Sequence, residues 1–211
     1  MVKPQRNMRS LAWLLLLSFF FGYVIYMVSY VGNDWYVVPV EPFPYPPDNQ
    51  STPIRMGLFW MCVQSHCLYD LKVDYIIVRY LPYKEIQYAS QNYRAVCMSI
   101  ISVGMVLLCL ALGAYFLFLS GFNFSHLMGF VTGGLQLVSS IVTMIGVIIY
   151  GVKFRGPTIN NPFGWSLWLM VAAILWLAAN GILVILLTIV ICARKRRKEG
   201  EDFNTPLQAS F

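Results

Sequence analysis

The chain has 211 residues, 58% of them hydrophobic and 11% charged, whereas a soluble domain carries roughly 25% charged residues, so a water-soluble fold is excluded. The formal net charge is +6, but much of the excess lies in two short terminal runs, which gives no case for nucleic-acid binding. Four blocks contain no Asp, Glu, Lys or Arg: Leu11 to Val31, Ala95 to Leu119, Leu127 to Tyr150 and Ser166 to Cys192. Each meets the length of about 20 apolar residues that a membrane-spanning helix needs.

In chain order, the first block follows Lys3, Arg6 and Arg9. It is longer than the apolar region of a signal peptide and lacks a small-residue cleavage site, so it reads as an uncleaved anchor. Four spans place both termini on one side. The basic residues of the first tail and the run Arg194-Lys195-Arg196-Arg197-Lys198 of the last make that side cytoplasmic by the positive-inside rule. The expected organisation is a cytoplasmic tail (1–10), a span (11–31), an outer loop (32–94), a span (95–119) and a cytoplasmic loop (120–126). A span (127–151), a shorter outer loop (152–165), a span (166–192) and a cytoplasmic tail (193–211) follow.

The long outer loop is nearly neutral, with Arg55, Lys72, Arg79, Lys84 and Arg94 set against Asp34, Glu41, Asp48, Asp70, Asp74 and Glu85. Its stretches Trp35 to Val40, Arg55 to Val63 and Lys72 to Tyr80 are rich in β-branched and aromatic residues and predict strands. Between the first two, the prolines of Glu41 to Asn49 preclude an interior strand and predict an extended lobe. Asn49-Gln50-Ser51 in that lobe is a glycosylation sequon on the luminal side in this topology. A second match, Asn123-Phe124-Ser125, lies in the cytoplasmic loop and is expected to stay unmodified. Cys62 and Cys67 fall in the outer loop, where an oxidising exterior favours a disulfide between them. The alternative, a metal pair, has only His66 nearby and lacks a fourth ligand.

Aromatic residues Trp35, Phe59 and Trp60, with Leu58, admit two readings. They anchor a sheet at the bilayer interface, as Trp and Tyr commonly do, or Phe59 and Trp60 present an apolar contact to another membrane protein.

The later spans carry packing signals rather than chemistry. Gly129-x-x-x-Gly133, Ser139, Ser140 and Gly146 give the third span a small face for close helix approach. Gln136 and Asn180 are buried amides that an interhelical hydrogen bond would satisfy. No ionisable Asp, Glu, Lys, Arg or His lies inside a span, which disfavours a pump or transporter. No catalytic residue, cofactor site or metal site is predicted: the two histidines, His66 and His126, stand apart, and no Gly-rich phosphate loop is present. Asp70 and Asp74 flank Lys72 on a strand face that solvent alone explains. At the end of the last span, Cys192 beside the basic run is a candidate for palmitoylation, and the tail's ending Ala209-Ser210-Phe211 is a poor fit to a PDZ groove.

Taken in order, Trp35, the element Gly57-Leu58-Phe59-x-x-Cys62, Cys67 and Arg94 resemble the pattern of the claudin, epithelial membrane protein and peripheral myelin protein superfamily. The opening of the fourth span, Phe163-Gly164-Trp165-Ser166, is similar to that group's aromatic-x-aromatic-Ser opening. The four-residue cysteine spacing is closer to the lens-fibre and epithelial membrane proteins. Two features depart from the pattern: Phe59 stands where the family usually has Trp, and the proline-rich lobe has no counterpart. The resemblance implies a left-handed four-helix bundle with a small extracellular antiparallel sheet, stapled at Cys62 and Cys67. It also implies a non-enzymatic plasma-membrane protein, and two functional classes. One is an organiser of cell-cell contacts that associates with itself in the bilayer, with Asp70 and Asp74 as candidates for ion selectivity. The other is an auxiliary subunit bound to an ion channel or receptor.

Overall fold

Inside lipid, backbone N–H and C=O groups have no water to bond to, so an apolar block must satisfy them within itself as a helix. The computed structural model describes residues 3–38, 54–63, 66–69, 84–120, 125–153 and 163–204. Among them are four long helices: α1 (Lys3–Val31), α2 (Lys84–Leu119), α3 (Ser125–Lys153) and α4 (Trp165–Asn204). The portions long and apolar enough to cross a membrane are Ser10–Val31, Arg94–Leu119, His126–Val152 and Trp165–Arg197. At a rise of about 1.5 Å per residue, α4 is about 60 Å long, twice the roughly 30 Å of a hydrocarbon core. Its last turns therefore stand clear of the bilayer.

α1 is apolar all round, yet it buries one face. Ala12, Leu15, Leu16, Phe19, Tyr26 and Tyr30 are buried, while Leu14, Leu17, Phe21, Val24 and Val28 are exposed to where lipid lies. Burial recurs every three to four residues, the period of a helix face. α3 packs against α2 and α4, and α4 packs against α1. Tyr side chains close the ring between α1 and α2: Tyr26 Oη donates to the Ile101 carbonyl at 2.7 Å and Tyr115 Oη to the Ala12 carbonyl at 2.7 Å.

Lipid tails are as apolar as Leu, so helix association here rests on close packing and polar contacts. Gly133 and Gly181 provide the first between α3 and α4. A Cβ on Gly133 would lie 2.8 Å from the Gly181 carbonyl oxygen, and one on Gly181 would lie 3.0 Å from that of Gly133. Ser139 Oγ provides the second, donating to the Gly104 carbonyl of α2 at 2.7 Å. The two buried amides differ. Asn180 Nδ2 donates across to the Leu15 carbonyl of α1 at 3.1 Å, whereas Gln136, fully buried, has no partner for either amide atom among the described residues.

Between α1 and α2 lies a four-stranded antiparallel sheet in the order β1 (Tyr36–Val38), β2 (Ile54–Met56), β3 (Trp60–Val63), β4 (His66–Tyr69). The expected single strand over Arg55 to Val63 is instead two strands and a tight turn. Gly57 N–H donates to the Trp60 carbonyl at 2.8 Å and folds the chain back, because Leu58 is drawn into the core at the turn. The chain then turns again and pairs residues 66–69 with β3, a strand not anticipated. The proline-rich lobe and the stretch Lys72 to Tyr80 lie outside the described residues. β1 does not end in an open edge: Tyr36 forms an antiparallel bridge with Phe163, just ahead of α4.

Candidate functional site at the seam between sheet and bundle

The chain leaves α1 at Val31 and must turn into a sheet within five residues. Gly32 N–H bonds the Ser29 carbonyl at 3.2 Å, ending the helix, and the Trp35 indole Nε1 donates to the same carbonyl at 2.8 Å. Carbonyls at a helix end lack intrahelical partners, so the indole serves as a cap as well as a packing group. Trp35 is fully buried, with its ring edge-on to Tyr150 of α3 at 5.2 Å between centroids. Its N–H bonds the Met56 carbonyl at 3.0 Å, so the same residue starts the sheet.

Asp34 and the start of α4 form the second half of the seam. Trp165 Nε1 donates to Asp34 Oδ2, and Arg55 Nη1 of β2 reaches the same oxygen at 3.4 Å. Main chain runs alongside: Gly164 N–H donates to the Trp35 carbonyl at 3.2 Å and Ser166 N–H to the Asp34 carbonyl at 3.1 Å. Ser29 Oγ of α1 adds a bond to the Ser166 carbonyl at 2.5 Å. Gly164 is required by this approach, since a Cβ there would overlap the Asp34 carbonyl. Gly57 has a similar constraint, a Cβ falling 2.5 Å from the Gly32 carbonyl oxygen and 2.9 Å from the Asn33 Cα.

The β2–β3 turn is held from the other side by α2. Arg94, buried at the first residue of its span, donates through Nη2 to the Leu58 carbonyl at 3.3 Å. Phe59 packs edge-on to Tyr30 of α1 at 4.8 Å, and Tyr30 Oη bonds Ser102 Oγ of α2 at 2.6 Å. Among the four side chains with two readings, Trp35, Leu58 and Phe59 thus face the bundle, whereas Trp60 is 38% exposed. Cys62 is buried, and the β3–β4 register sets it directly opposite Cys67.

The pattern residues Trp35, Gly57, Leu58, Phe59, Cys62, Cys67 and Arg94 are therefore brought together on one sheet and its supports. Cys192 is elsewhere, partly exposed near the far end of α4. Asn49, Asp70 and Asp74 lie outside the described residues. Asp34, Arg55 and Gly164 are seam residues that sequence reasoning did not assign. Their only visible signals were a carboxylate three residues beyond the first span and a Gly between two aromatics before the fourth.

A four-helix membrane bundle carrying an antiparallel sheet between its first two helices, keyed in by a buried Trp and Arg, defines a claudin-like fold. The family model described as PMP-22/EMP/MP20/Claudin tight junction matches residues 20–186. The chain belongs to that family, which points to a non-enzymatic multi-pass membrane protein in contact with the lipid bilayer. No individual curated protein matches it.

Proposed function

We propose that the protein organises contacts between cells, or domains within one membrane, by presenting its sheet outside the cell and associating laterally with copies of itself. The observation that carries this reading is the seam: α1, α2 and α4 all bond to the sheet, so the sheet is a fixed platform rather than a tethered loop. Trp60, exposed on that platform, offers the apolar contact. The orientation follows from the terminal basic residues, with both termini cytoplasmic.

The test is the distribution of tagged protein in contacting cells, with partners identified after crosslinking. Enrichment at contacts with self-capture is expected, and a channel or receptor subunit as the main partner would replace this reading with that of an auxiliary subunit. Within the contact role, Asp70 and Asp74 are the proposed ion-selective charges. Converting both to Lys is expected to lower the cation preference of a cell layer, and an unchanged preference removes them from that role.

A further inference from the structure

The four sides of the bundle are not joined in the same way. Between α2 and α3, a Cβ on Gly104 would overlap Thr143 Oγ1, and one on Gly146 would lie 2.9 Å from Ile101 Cγ1. Between α3 and α4, Gly133 and Gly181 bring the two backbones together. Between α4 and α1, a Cβ on Gly22 would lie 2.7 Å from Trp176 Cδ1. No glycine among the described residues makes such an approach between α1 and α2. Hydroxyl groups on long side chains span that side instead. Tyr30 Oη meets Ser102 Oγ at 2.6 Å and Tyr26 Oη donates to the Ile101 carbonyl at 2.7 Å, while Tyr23 Oη meets Cys109 Sγ at 3.3 Å and Tyr115 Oη donates to the Ala12 carbonyl at 2.7 Å.

These ties are unevenly spread along the seam. Beside the sheet, Tyr26 also bonds Thr143 of α3 at 3.1 Å, Phe59 packs on Tyr30, and Arg94 bonds the Leu58 carbonyl. Parting the helices there would draw buried Leu58 toward water, which resists the uncovering of apolar surface. Toward the other end, the described ties are the Tyr23 bond to a thiol, a weak partner, the Tyr115 bond, and a tilted ring contact of Tyr115 with Phe19 at 6.5 Å. Fourteen residues separate Tyr26 from Ala12, about 21 Å along the helix axis. Over this length the surroundings are lipid, whose tails cover an apolar face as well as a neighbouring helix does.

We infer that the α1–α2 seam is a hinged lateral opening, fixed at the sheet and able to part at the far end. In the closed form the tyrosine hydroxyls lace it shut. In the parted form Tyr23 and Tyr115 leave their partners and acyl chains enter between the helices. Tyr115 stands four residues before the end of its apolar span at Leu119, so its freed hydroxyl reaches the headgroup layer. α1 stays on α4 throughout, held at Gly22 and by the Asn180 and Trp176 bonds to α1 carbonyls. A hydrogen bond between membrane helices is worth roughly threefold in an equilibrium constant, so the two ties at the far end together hold back a shift of about tenfold.

Double electron–electron resonance on the full chain in phosphatidylcholine nanodiscs tests this, with spin labels attached through p-acetylphenylalanine so that the native cysteines stay in place. The labelled positions are exposed to lipid: Leu11 with Phe116 across the far end of the seam, Val31 with Val103 across its sheet end, and Leu11 with Leu183 across α1 and α4. A second, longer distance is expected for Leu11 with Phe116 alone. Tyr23→Phe with Tyr115→Phe should raise the ratio of the longer to the shorter distance roughly tenfold, whereas Tyr26→Phe, at the hinge, should leave it unchanged. A single Leu11 to Phe116 distance that the paired substitution does not alter overturns the opening. Equal broadening of all three pairs also overturns it, because the bundle then loosens everywhere and not on one side. An equal rise with Tyr26→Phe overturns the hinge at the sheet.

Discussion

At the seam, Asp34 accepts two donors of unequal weight. The Arg55 side chain is 55% exposed, and an ion pair so open to water contributes less than about 1 kcal/mol. The Trp165 indole bonds the Asp34 carboxylate and Ser166 N–H its carbonyl, while Gly164 N–H bonds the carbonyl of the neighbouring Trp35. Asp34→Asn keeps an acceptor for the indole and loses only the ion pair, so a small loss is expected. Gly164→Ala forces a methyl group into the Asp34 carbonyl and should cost about 1–3 kcal/mol, as overpacking does. Thermal unfolding in detergent ranks the two, and a larger loss from Asp34→Asn would show that the ion pair, not the close approach, holds the seam. Neither role was legible in the sequence. Asp34 reads there as one acidic residue among six in a neutral loop, and its indole partner is 131 positions away.

The elements show where local pattern and tertiary demand part company. β-propensity runs through Arg55 to Val63 interrupted only by Gly57, and no Asn-Gly or Pro signal marks a turn. Burial of Leu58 and the Arg94 bond to its carbonyl impose that turn from outside the segment. The helices present the opposite case. Four apolar blocks are plain, but hydropathy cannot say which face of an all-apolar helix turns inward, and the small and polar residues carry that information. Gly129 and Gly133 on α3 do face α4, where Cβ atoms would meet Thr188, Ile185 and the Gly181 backbone. Gln136 stands on the same helix with both amide atoms unpartnered among the described residues, and an unpaired buried polar group costs about 1–3 kcal/mol. Gln136→Leu is therefore expected to be neutral or stabilising in detergent unfolding. A loss of more than about 1 kcal/mol would mean that the amide has a partner in the membrane, such as a second copy or a water.

For the whole molecule, the fold class was legible because lipid leaves few choices: four spans, a loop too polar to enter the membrane, and the ordered series Trp35, Gly57, Cys62, Cys67 and Arg94. What the sequence did not reveal is how the sheet is mounted, since its supports come from residues 163–165 ahead of and opening α4 and from Arg94 where α2 enters its span. Orientation and stapling are proposals that one experiment addresses. Cross-strand neighbours in an antiparallel pair have Cα atoms about 4.5–5.5 Å apart, within the range a disulfide spans, and Cys62 and Cys67 are such neighbours. Peptide mapping of protein from cells, without reduction, is expected to find Cys62 joined to Cys67 and sugar on Asn49. Sugar on Asn123 would invert the topology, and free thiols at both cysteines would remove the staple.

The bridge from Tyr36 to Phe163 and the indole bond from Trp165 to Asp34 tie the sheet to the beginning of α4 as firmly as it is tied to the end of α1. A pull on the platform is thus shared by two antiparallel helices at once. A neighbour that tilts the sheet must tilt the α1–α4 pair, and the movement emerges at the opposite membrane face as a displacement of the helix ends there. The path from the platform to the opposite surface is continuous helix in both α1 and α4, each joined to the sheet at its upper end by main-chain and indole hydrogen bonds.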